Sequence, residues 1–231
     1  MKTIAEIREK YASLAIADLL IALTKDYAGR IAFSSSMGAE DQVITHIIAE
    51  NAIPIRIFTI DTGRMFPETY EVIDKTCARY KIPIEVYFPD YQKMEPILKE
   101  KGINLFYESV ENRKLCCFNR KIEPLQRALQ RASIWITGLR AEQSASRSQI
   151  EIIEWDETHR LIKVNPLMNW TLDQMWNFIK LHHIPYNSLH DQSFPSIGCQ
   201  PCTIEVKEGD DIRSGRWWWE QGKKECGLHG S

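Results

Sequence analysis

The stretch from residue 31 to residue 48 constrains the fold of this chain most strongly. Residues 31–33 are apolar and predict a buried strand, and apolar side chains return at helical spacing over residues 43–48. Between them lie three serines and Gly38, a residue that lets the backbone approach a ligand closely. In such a strand–turn–helix unit, backbone N–H groups and a helix N-terminus can face an anion. The stretch therefore predicts either a phosphate-binding turn or an ordinary turn that binds nothing.

The same alternation of strand and helix continues along the chain. Further strands are predicted at residues 55–60, 84–88, 133–139, 150–155 and 161–164, and helices at residues 1–25, from Pro67, at 91–101, at 116–130 and at 171–183. This order predicts an α/β fold, in which a mostly parallel sheet carries helices on both faces. Ligands bind at the carboxyl ends of such strands, where residues 34–38 and 61–64 are expected to lie.

Composition and charge exclude several classes of protein. The chain has 231 residues, 44% of them hydrophobic, and a net charge of −2, so it can bury a sizeable core and has no field that would attract nucleic acid. The N-terminal residues mix acids with apolar side chains, which predicts an amphipathic helix rather than a signal peptide. No apolar run approaches the length of a membrane span. We therefore expect a cytoplasmic protein with reduced thiols and with no nucleic-acid or membrane partner.

Four of the six cysteines form two pairs that suggest one shared metal site. Cys116 and Cys117 are adjacent, near the expected start of the helix at residues 116–130, and Cys199 and Cys202 form a CxxC motif. Four thiolates can hold structural zinc or an iron–sulfur cluster. Adjacent thiolates fit a cubane better than a small zinc tetrahedron, so the spacing favours [4Fe–4S] over zinc. A disulfide within the CxxC motif is a third alternative.

The two remaining cysteines have different predicted roles. Cys77 lies among apolar residues of a predicted helix and is expected to be a buried small hydrophobe. Cys226 lies close to two lysines and His229, and these cations would favour its nucleophilic thiolate. A sulfur on a mobile tail could reach a bound substrate and then a second protein. The alternative is a tail cysteine without a function.

Seven motifs together resemble those of the bacterial iron–sulfur adenylylsulfate reductases, within the phosphoadenylylsulfate/adenylylsulfate reductase family. They are SSSMGAEDQ (34–42), FTIDTGRMFPETY (58–70), CCFNRKIEPLQRAL (116–129), WITGLRAEQSASR (135–147), PSIGCQPCT (195–203), DDIRSGRWWWE (210–220) and KECGLH (224–229). They follow the family's order over nearly the whole chain, apart from the N-terminal helix and residues 150–184. The cysteine pairs matter most, because the cluster-free phosphoadenylylsulfate reductases share the C-terminal motif and lack these pairs.

The resemblance implies a fold, a cofactor and a reaction. The implied fold is one Rossmann-like domain of the adenine nucleotide alpha hydrolase type at residues 1–206, followed by a mobile C-terminal arm at residues 207–231. One [4Fe–4S] cluster is implied on Cys116, Cys117, Cys199 and Cys202. The thiolate of Cys226 is implied to attack the sulfur of adenylylsulfate, so that AMP leaves and an S-sulfocysteine forms. Thioredoxin or glutaredoxin then releases sulfite, a step of sulfate assimilation and cysteine biosynthesis.

The remaining site residues follow from the resemblance together with electrostatics. Attack on a sulfuryl group brings anions together, so cations must neutralise the sulfate and the departing phosphate. Lys121 and His229 are the predicted catalytic partners of Cys226, and Lys121, four residues after Cys117, is expected on the same helix face. The predicted substrate-binding residues are Ser34, Ser35, Ser36 and Gly38 on one wall, Asp61, Thr62, Gly63 and Arg64 on the other, and also Arg140, Arg213, Arg216 and Trp217. The indole of Trp217 either stacks on the adenine or packs on the core.

Alternative functions stay open at this point. Phosphoadenylylsulfate, alone or beside adenylylsulfate, would need further cations for its 3′-phosphate, and this chain has Ala141 where the family often has a second arginine. A sulfurtransferase of the ATP pyrophosphatase group typically carries a Ser-Gly-Gly-x-Asp-Ser pattern, which residues 34–41 do not match. A non-enzymatic zinc module would leave the serine turn and the C-terminal motif unexplained. The apolar N-terminal helix leads us to expect a homo-oligomer.

Overall fold

The computed structural model describes residues 3–143 and 150–220. Within them, six strands form one sheet in the order β3-β2-β1-β4-β6-β5. The strands are β1 (Ile31–Ser34), β2 (Arg56–Ile60), β3 (Glu85–Tyr87), β4 (Ile134–Ile136), β5 (Ile153–Asp156) and β6 (Leu161–Val164). Strand β1 runs parallel to β2 and β4, β4 runs parallel to β6, and β5 is antiparallel to β6. The predicted α/β fold with a mostly parallel sheet is confirmed.

Eight α-helices accompany the sheet in the described residues. They are α1 (Ile4–Tyr11), α2 (Ile16–Asp26), α3 (Ala39–Glu50), α4 (Pro67–Tyr80), α5 (Tyr91–Lys101), α6 (Val110–Cys117), α7 (Glu123–Leu129) and α8 (Leu172–Leu181). Three predicted helices are confirmed: the one from Pro67, the one at residues 91–101 and the one at residues 171–183. Each predicted bound lies within two residues of the observed one. Within residues 3–143 and 150–220, no helix is long and apolar enough to cross a membrane.

The N-terminal segment forms two helices, so the prediction of one helix over residues 1–25 is wrong. Helix α1 ends at Tyr11, and the extended backbone of Ala15, with ψ of 153°, starts a new helix at Ile16. The side chains of Lys10 and Tyr11 both donate hydrogen bonds to Asp26. These bonds tie the end of α1 to the end of α2, which a continuous helix could not do.

The adjacent cysteines lie at the end of a helix, whereas the sequence predicted them near a helix start. Helix α6 begins after Ser109, whose hydroxyl accepts a hydrogen bond from the backbone N–H of Asn112, and it ends at Cys117. A π-helical turn, Phe118–Ile122, then separates α6 from α7. Its wider turn, with bonds five residues apart, replaces the α-helical spacing on which the expected position of Lys121 rested. Such turns occur frequently at functional sites.

The described chain divides into two compact units. The first comprises Met1–Thr59, Thr69–Glu85 and Arg131–Asn187, and the second comprises Ile60–Glu68, Val86–Gln130 and Ser188–Ser231. The core of the first unit includes Leu20, Phe33, Ile44 and Ile136, all fully buried. The expected boundary between a domain ending at residue 206 and an arm from residue 207 stays a prediction. Residues 207–220, the described part of that arm, belong to the second unit.

Candidate active site

The serine turn after β1, in the first unit, is held by hydrogen bonds to all three hydroxyls. The indole Nε1 of Trp135 donates to Ser34 Oγ at 2.7 Å, and the backbone N–H of Met37 donates to Ser35 Oγ at 3.2 Å. Ser36 donates from its backbone nitrogen and from Oγ to Asp41 Oδ2, at 2.6 and 2.7 Å. Gly38 is the N-cap of α3. Internal hydrogen bonds therefore define the shape of the turn, as a preorganised anion site requires.

Asp41 is the residue that fixes this shape, and it was not predicted as a site residue from the sequence. Its side chain is 6% exposed, and burial raises the pKa of its carboxyl from 3.8 to about 7, although the hydrogen bonds from Ser36 lower it. A Cβ atom at Gly138 would lie 2.2 Å from Asp41 Oδ1, so only glycine fits beside this carboxyl. The signal was present in the sequence, because Asp41 comes three residues after Gly38 in the GAED run.

The buried carboxyl of Asp41 predicts a defined pH dependence of stability. Since its pKa is raised in the folded state, the proton is bound more tightly there than in the unfolded chain, and wild-type stability is lost as the pH rises from about 4 through about 7. The nearby negative charge of Glu40 also raises the pKa of Asp41. Arg140 forms an ion pair with Glu40. Asp41→Asn does not titrate, so its unfolding free energy relative to wild type should increase between pH 5 and pH 8.

Urea unfolding at both pH values measures this difference, with Asp18→Asn on the exposed face of α2 as the control. An equal change with pH in wild type, Asp41→Asn and the control would contradict the assignment.

Arg140 lies in the first unit and is 2% exposed. Its guanidinium donates through Nε to Glu40 Oε1 at 3.0 Å and through Nη1 to Glu142 Oε2 at 3.2 Å. Glu40, in the first turn of α3, thereby joins this arginine to the helix that follows the serine turn. These carboxylate partners were not predicted from the sequence. The predicted role of Arg140 in substrate binding stays a prediction.

The turn after β2, at residues 61–64, lies in the second unit. Asp61 Oδ1 accepts a hydrogen bond from the backbone N–H of Gly63 at 2.7 Å, and Gly63 has a φ of +68° that favours glycine. Thr62 Oγ1 lies 3.3 Å from the sulfur of Cys199. Arg64 donates to the backbone oxygen of Ile103 and to the side chain of Asn104, at 3.0 and 2.9 Å. The structure thus brings the predicted Thr62 against one of the predicted metal ligands.

The four predicted metal ligands lie in one apolar group of the second unit, the cysteine cluster. Cys116, Cys117 and Cys202 are buried with Leu105, Phe106 and Trp217, and Cys199 packs against them. All five cysteines of the described residues are free, so Cys199 and Cys202 do not form the disulfide that was the third alternative. In residues 3–143 and 150–220, no group of three or more His, Cys, Asp or Glu side chains is arranged so that it could hold a metal ion.

Positive charges face this cysteine cluster. Burial raises the pKa of Cys199, but the charge of Lys121, the hydrogen bond with Thr62 and the charges of Arg216 and Arg120 together lower it below its ordinary value. Burial raises the pKa of Cys116 and, with the neighbouring thiols, raises that of Cys202 to about 12. The positive charge of Lys121 therefore lies near Cys199 and Cys202, and its catalytic role stays a prediction.

The described part of the arm packs against the same cluster. Trp217 is 1% exposed, and its ring lies 4.8 Å from the guanidinium of Arg113 and 4.9 Å from that of Arg216. Arg216 donates to Ser196 Oγ and lies so close to Gly198 that a Cβ there would be 2.2 Å from Nη2. Arg213 is half-buried, and its backbone N–H donates to Asp211 Oδ1. Roles of Arg213, Arg216 and Trp217 in substrate binding stay predictions.

The predicted nucleophile Cys226 and the predicted catalytic His229 lie outside the described residues. Their roles stay predictions, and so does the [4Fe–4S] cluster.

Residues 30–205 match the family described as the phosphoadenosine phosphosulfate reductase domain. This chain belongs to that family. It is 50% identical over 200 residues to an adenosine 5′-phosphosulfate reductase of Allochromatium vinosum, covering 86% of this chain and 78% of the relative. It is 45% identical over 213 residues to one of Burkholderia cepacia, covering 92% of this chain and 85% of the relative. The resemblance drawn from the seven motifs is confirmed.

Two solved structures resemble this chain, and the first agrees with the family assignment. A phosphoadenylyl-sulfate reductase of Candida auris, in complex with phosphate, matches with a TM-score of 0.74 and 27% identity, over 87% of this chain and 96% of that one. An FMN adenylyltransferase of Candida glabrata in complex with ATP matches with a TM-score of 0.58 and 16% identity, over 90% of this chain and 68% of that one. The second likeness concerns the fold alone.

Proposed function

We propose that this chain reduces adenylylsulfate to sulfite and AMP. The observation that carries the proposal is 45–50% identity, over at least 85% of this chain, to relatives named adenosine 5′-phosphosulfate reductase. The cysteine cluster of the second unit supports it, because four free thiols, arginines and Lys121 are gathered there. The serine turn supports the nucleotide side of the proposal, since its hydrogen bonds give it a fixed shape.

In the proposed reaction, two covalent steps lead from adenylylsulfate to sulfite. The Cys226 thiolate attacks the sulfur of the sulfuryl group, an S–S bond forms, the S–O bond to the phosphate breaks, and AMP leaves with the electron pair. A thiolate of an external dithiol then attacks the Cys226 sulfur, and sulfite leaves with the pair of the S–S bond. The second thiol of the dithiol closes a disulfide, which frees Cys226. The dithiol is oxidised by two electrons and the substrate sulfur is reduced by two.

The residues of this chain have separate tasks in that reaction. Lys121, Arg213 and Arg216 supply the positive charge that two approaching anions require. Arg140 is the further cation that we propose for substrate binding. The serines and Gly38 hold the nucleotide, and Asp61, Thr62, Gly63 and Arg64 shape the turn beside Cys199. His229 assists the Cys226 thiolate as a nearby donor.

A [4Fe–4S] cluster fits the cysteine cluster, where Cys116, Cys117, Cys199 and Cys202 would hold it. The buried Nε1 of Trp217 and Nε of Arg216 have no hydrogen-bond partner among the described residues, and donors of this kind suit the sulfur atoms of such a cluster. The surrounding Lys121, Arg113, Arg120 and Arg216 suit its negative charge. When bound, the cluster supplies a rigid cross-link between α6 and the CxxC segment. The external dithiol provides the electrons.

The partners and the location follow from this chemistry. Thioredoxin or glutaredoxin is the class of protein that supplies a reduced dithiol, and it acts in the cytoplasm, where free thiols persist. We propose a homo-oligomer without nucleic-acid or membrane partners, acting in sulfate assimilation and cysteine biosynthesis.

Phosphoadenylylsulfate is the second candidate substrate, because the family and the Candida auris structure bear its reductase name. Ala141 provides no cation for the 3′-phosphate, and a charged hydrogen bond contributes about 1.5–3 kcal/mol. We therefore expect kcat/KM for adenylylsulfate to exceed that for phosphoadenylylsulfate by about 10- to 100-fold, since that energy corresponds to such a ratio. Sulfite release from each nucleotide with reduced thioredoxin measures the ratio, and a ratio below one would overturn the assignment of adenylylsulfate as the substrate.

A further inference from the structure

An ion pair connects the last described residue of the arm to α6. Arg113 donates through Nε to Glu220 Oε1 and through Nη2 to Glu220 Oε2, both at 2.9 Å. The two side chains are 4% and 9% exposed. This two-pronged geometry is the strongest form of a charged hydrogen bond and fixes orientation as well as distance.

The pair belongs to a wider attachment of the arm to both cysteine segments. Helix α6 carries Arg113 and also Cys116 and Cys117. On the other side, the backbone N–H of Trp217 donates to the carbonyl of Cys202 at 3.0 Å, and Thr203 forms an isolated bridge with Arg216. The root of the arm, residues 216–220, is therefore fixed to both of the segments that carry the predicted metal ligands.

Stability alone is a weak reason for such a pair. A buried ion pair costs desolvation that its attraction roughly offsets, and apolar side chains of similar volume often stabilise as well or better. A buried two-pronged pair does, however, hold two chain segments in one relative orientation. This property matters most where one of the segments carries a reactive group.

We propose that Arg113 and Glu220 are positioning residues that fix the root of the arm, so that Cys226 is presented to the sulfur of the bound substrate. The inference rests on the proposed function. Glu220 and Cys226 are six residues apart, and six residues span at most about 20 Å. The position of the root therefore limits the volume that the Cys226 sulfur can sample, and with it the effective concentration at the substrate.

The test changes Glu220, because Arg113 also acts on Cys117 and on Trp217. Glu220→Gln keeps the shape and removes the charge, and Glu220→Asp keeps the charge and shortens the side chain. Glu208→Gln, an exposed change on the same arm, is the matched control. Each anaerobically purified protein is mixed with adenylylsulfate without reductant, and S-sulfonation of Cys226 is followed by intact-protein mass in single turnover, beside iron per chain and the affinity for AMP.

We expect Glu220→Gln to slow S-sulfonation by about 10- to 100-fold, because a root that is no longer fixed lowers the effective concentration of the Cys226 sulfur at the substrate. Glu220→Asp should lie between it and wild type, and Glu208→Gln should match wild type. Iron content and AMP affinity should be unchanged. An unchanged rate in both Glu220 variants would overturn the inference, and so would a loss of iron that accounts for the slower rate. If wild type itself formed no adduct on Cys226, the proposed function would fail instead.

Discussion

Replacing Cys226 with serine is expected to abolish sulfite release, with a fall in kcat of about 10⁴-fold or more, the scale seen when a catalytic nucleophile is removed. A serine hydroxyl is not ionised near neutral pH and cannot form the S–S bond that holds the sulfonate. The affinity for AMP should stay at the wild-type value, because the serine turn lies elsewhere in the chain. Sulfite release with reduced thioredoxin and titration with AMP give the two quantities.

Cys77→Ser is the matched control for this change. Cys77 lies half-buried on α4 of the first unit, less buried than the sequence predicted, and has no role in the proposed reaction. It should retain activity within a small factor. Sulfite release by Cys226→Ser at more than a few per cent of the wild-type rate would show that another group carries the sulfonate.

Replacing Cys199 with alanine is expected to remove the iron and the activity together. The sulfur of Cys199 contacts Thr62 and lies in the field of Lys121, so its loss affects both the proposed ligand set and the position of the predicted catalytic lysine. A site with three thiolates lacks one of the four ligands that such a cluster takes. We expect iron per chain to fall to the background and sulfite release to fall at least about 100-fold, because the loss of an outer-shell partner alone costs about 10- to 100-fold and Cys199 is proposed as a direct ligand.

Cys77→Ala, which removes a cysteine outside the cysteine cluster, should retain its iron and activity. The decisive comparison is between iron and activity in Cys199→Ala itself. A folded, iron-free Cys199→Ala protein with full activity would show that the reaction does not require a cluster bound by these residues.

The sequence predicted the strands and most helices, because periodicity is a local property and the sheet buries apolar runs on both faces. It failed where a contact distant in sequence decides the backbone. Asp26 accepts from both Lys10 and Tyr11 and thereby supports a break that the apolar pattern of the first 25 residues does not show. The π-helical turn after Cys117 leaves no period in the sequence either, so the spacing from Cys117 to Lys121 was taken as α-helical.

Some residues of the candidate site could likewise be predicted from the sequence, and others could not. Resemblance and spacing identified the two cysteine pairs, and the structure gathers them in one cluster. Asp41 could have been found, because a carboxylate three residues after the glycine that caps a helix can reach back to the turn. The pair of Arg113 with Glu220 could not, since 107 residues separate them and each is an ordinary surface residue type.

The central claim is that Cys226 receives the sulfonate of adenylylsulfate. Intact-protein mass spectrometry, after anaerobic mixing with adenylylsulfate and without reductant, tests it most directly. The account predicts one added sulfonate per chain, mapped to Cys226 by peptide analysis and released as sulfite when reduced thioredoxin is added. No adduct, on protein shown to retain its iron and to bind AMP, would contradict the account.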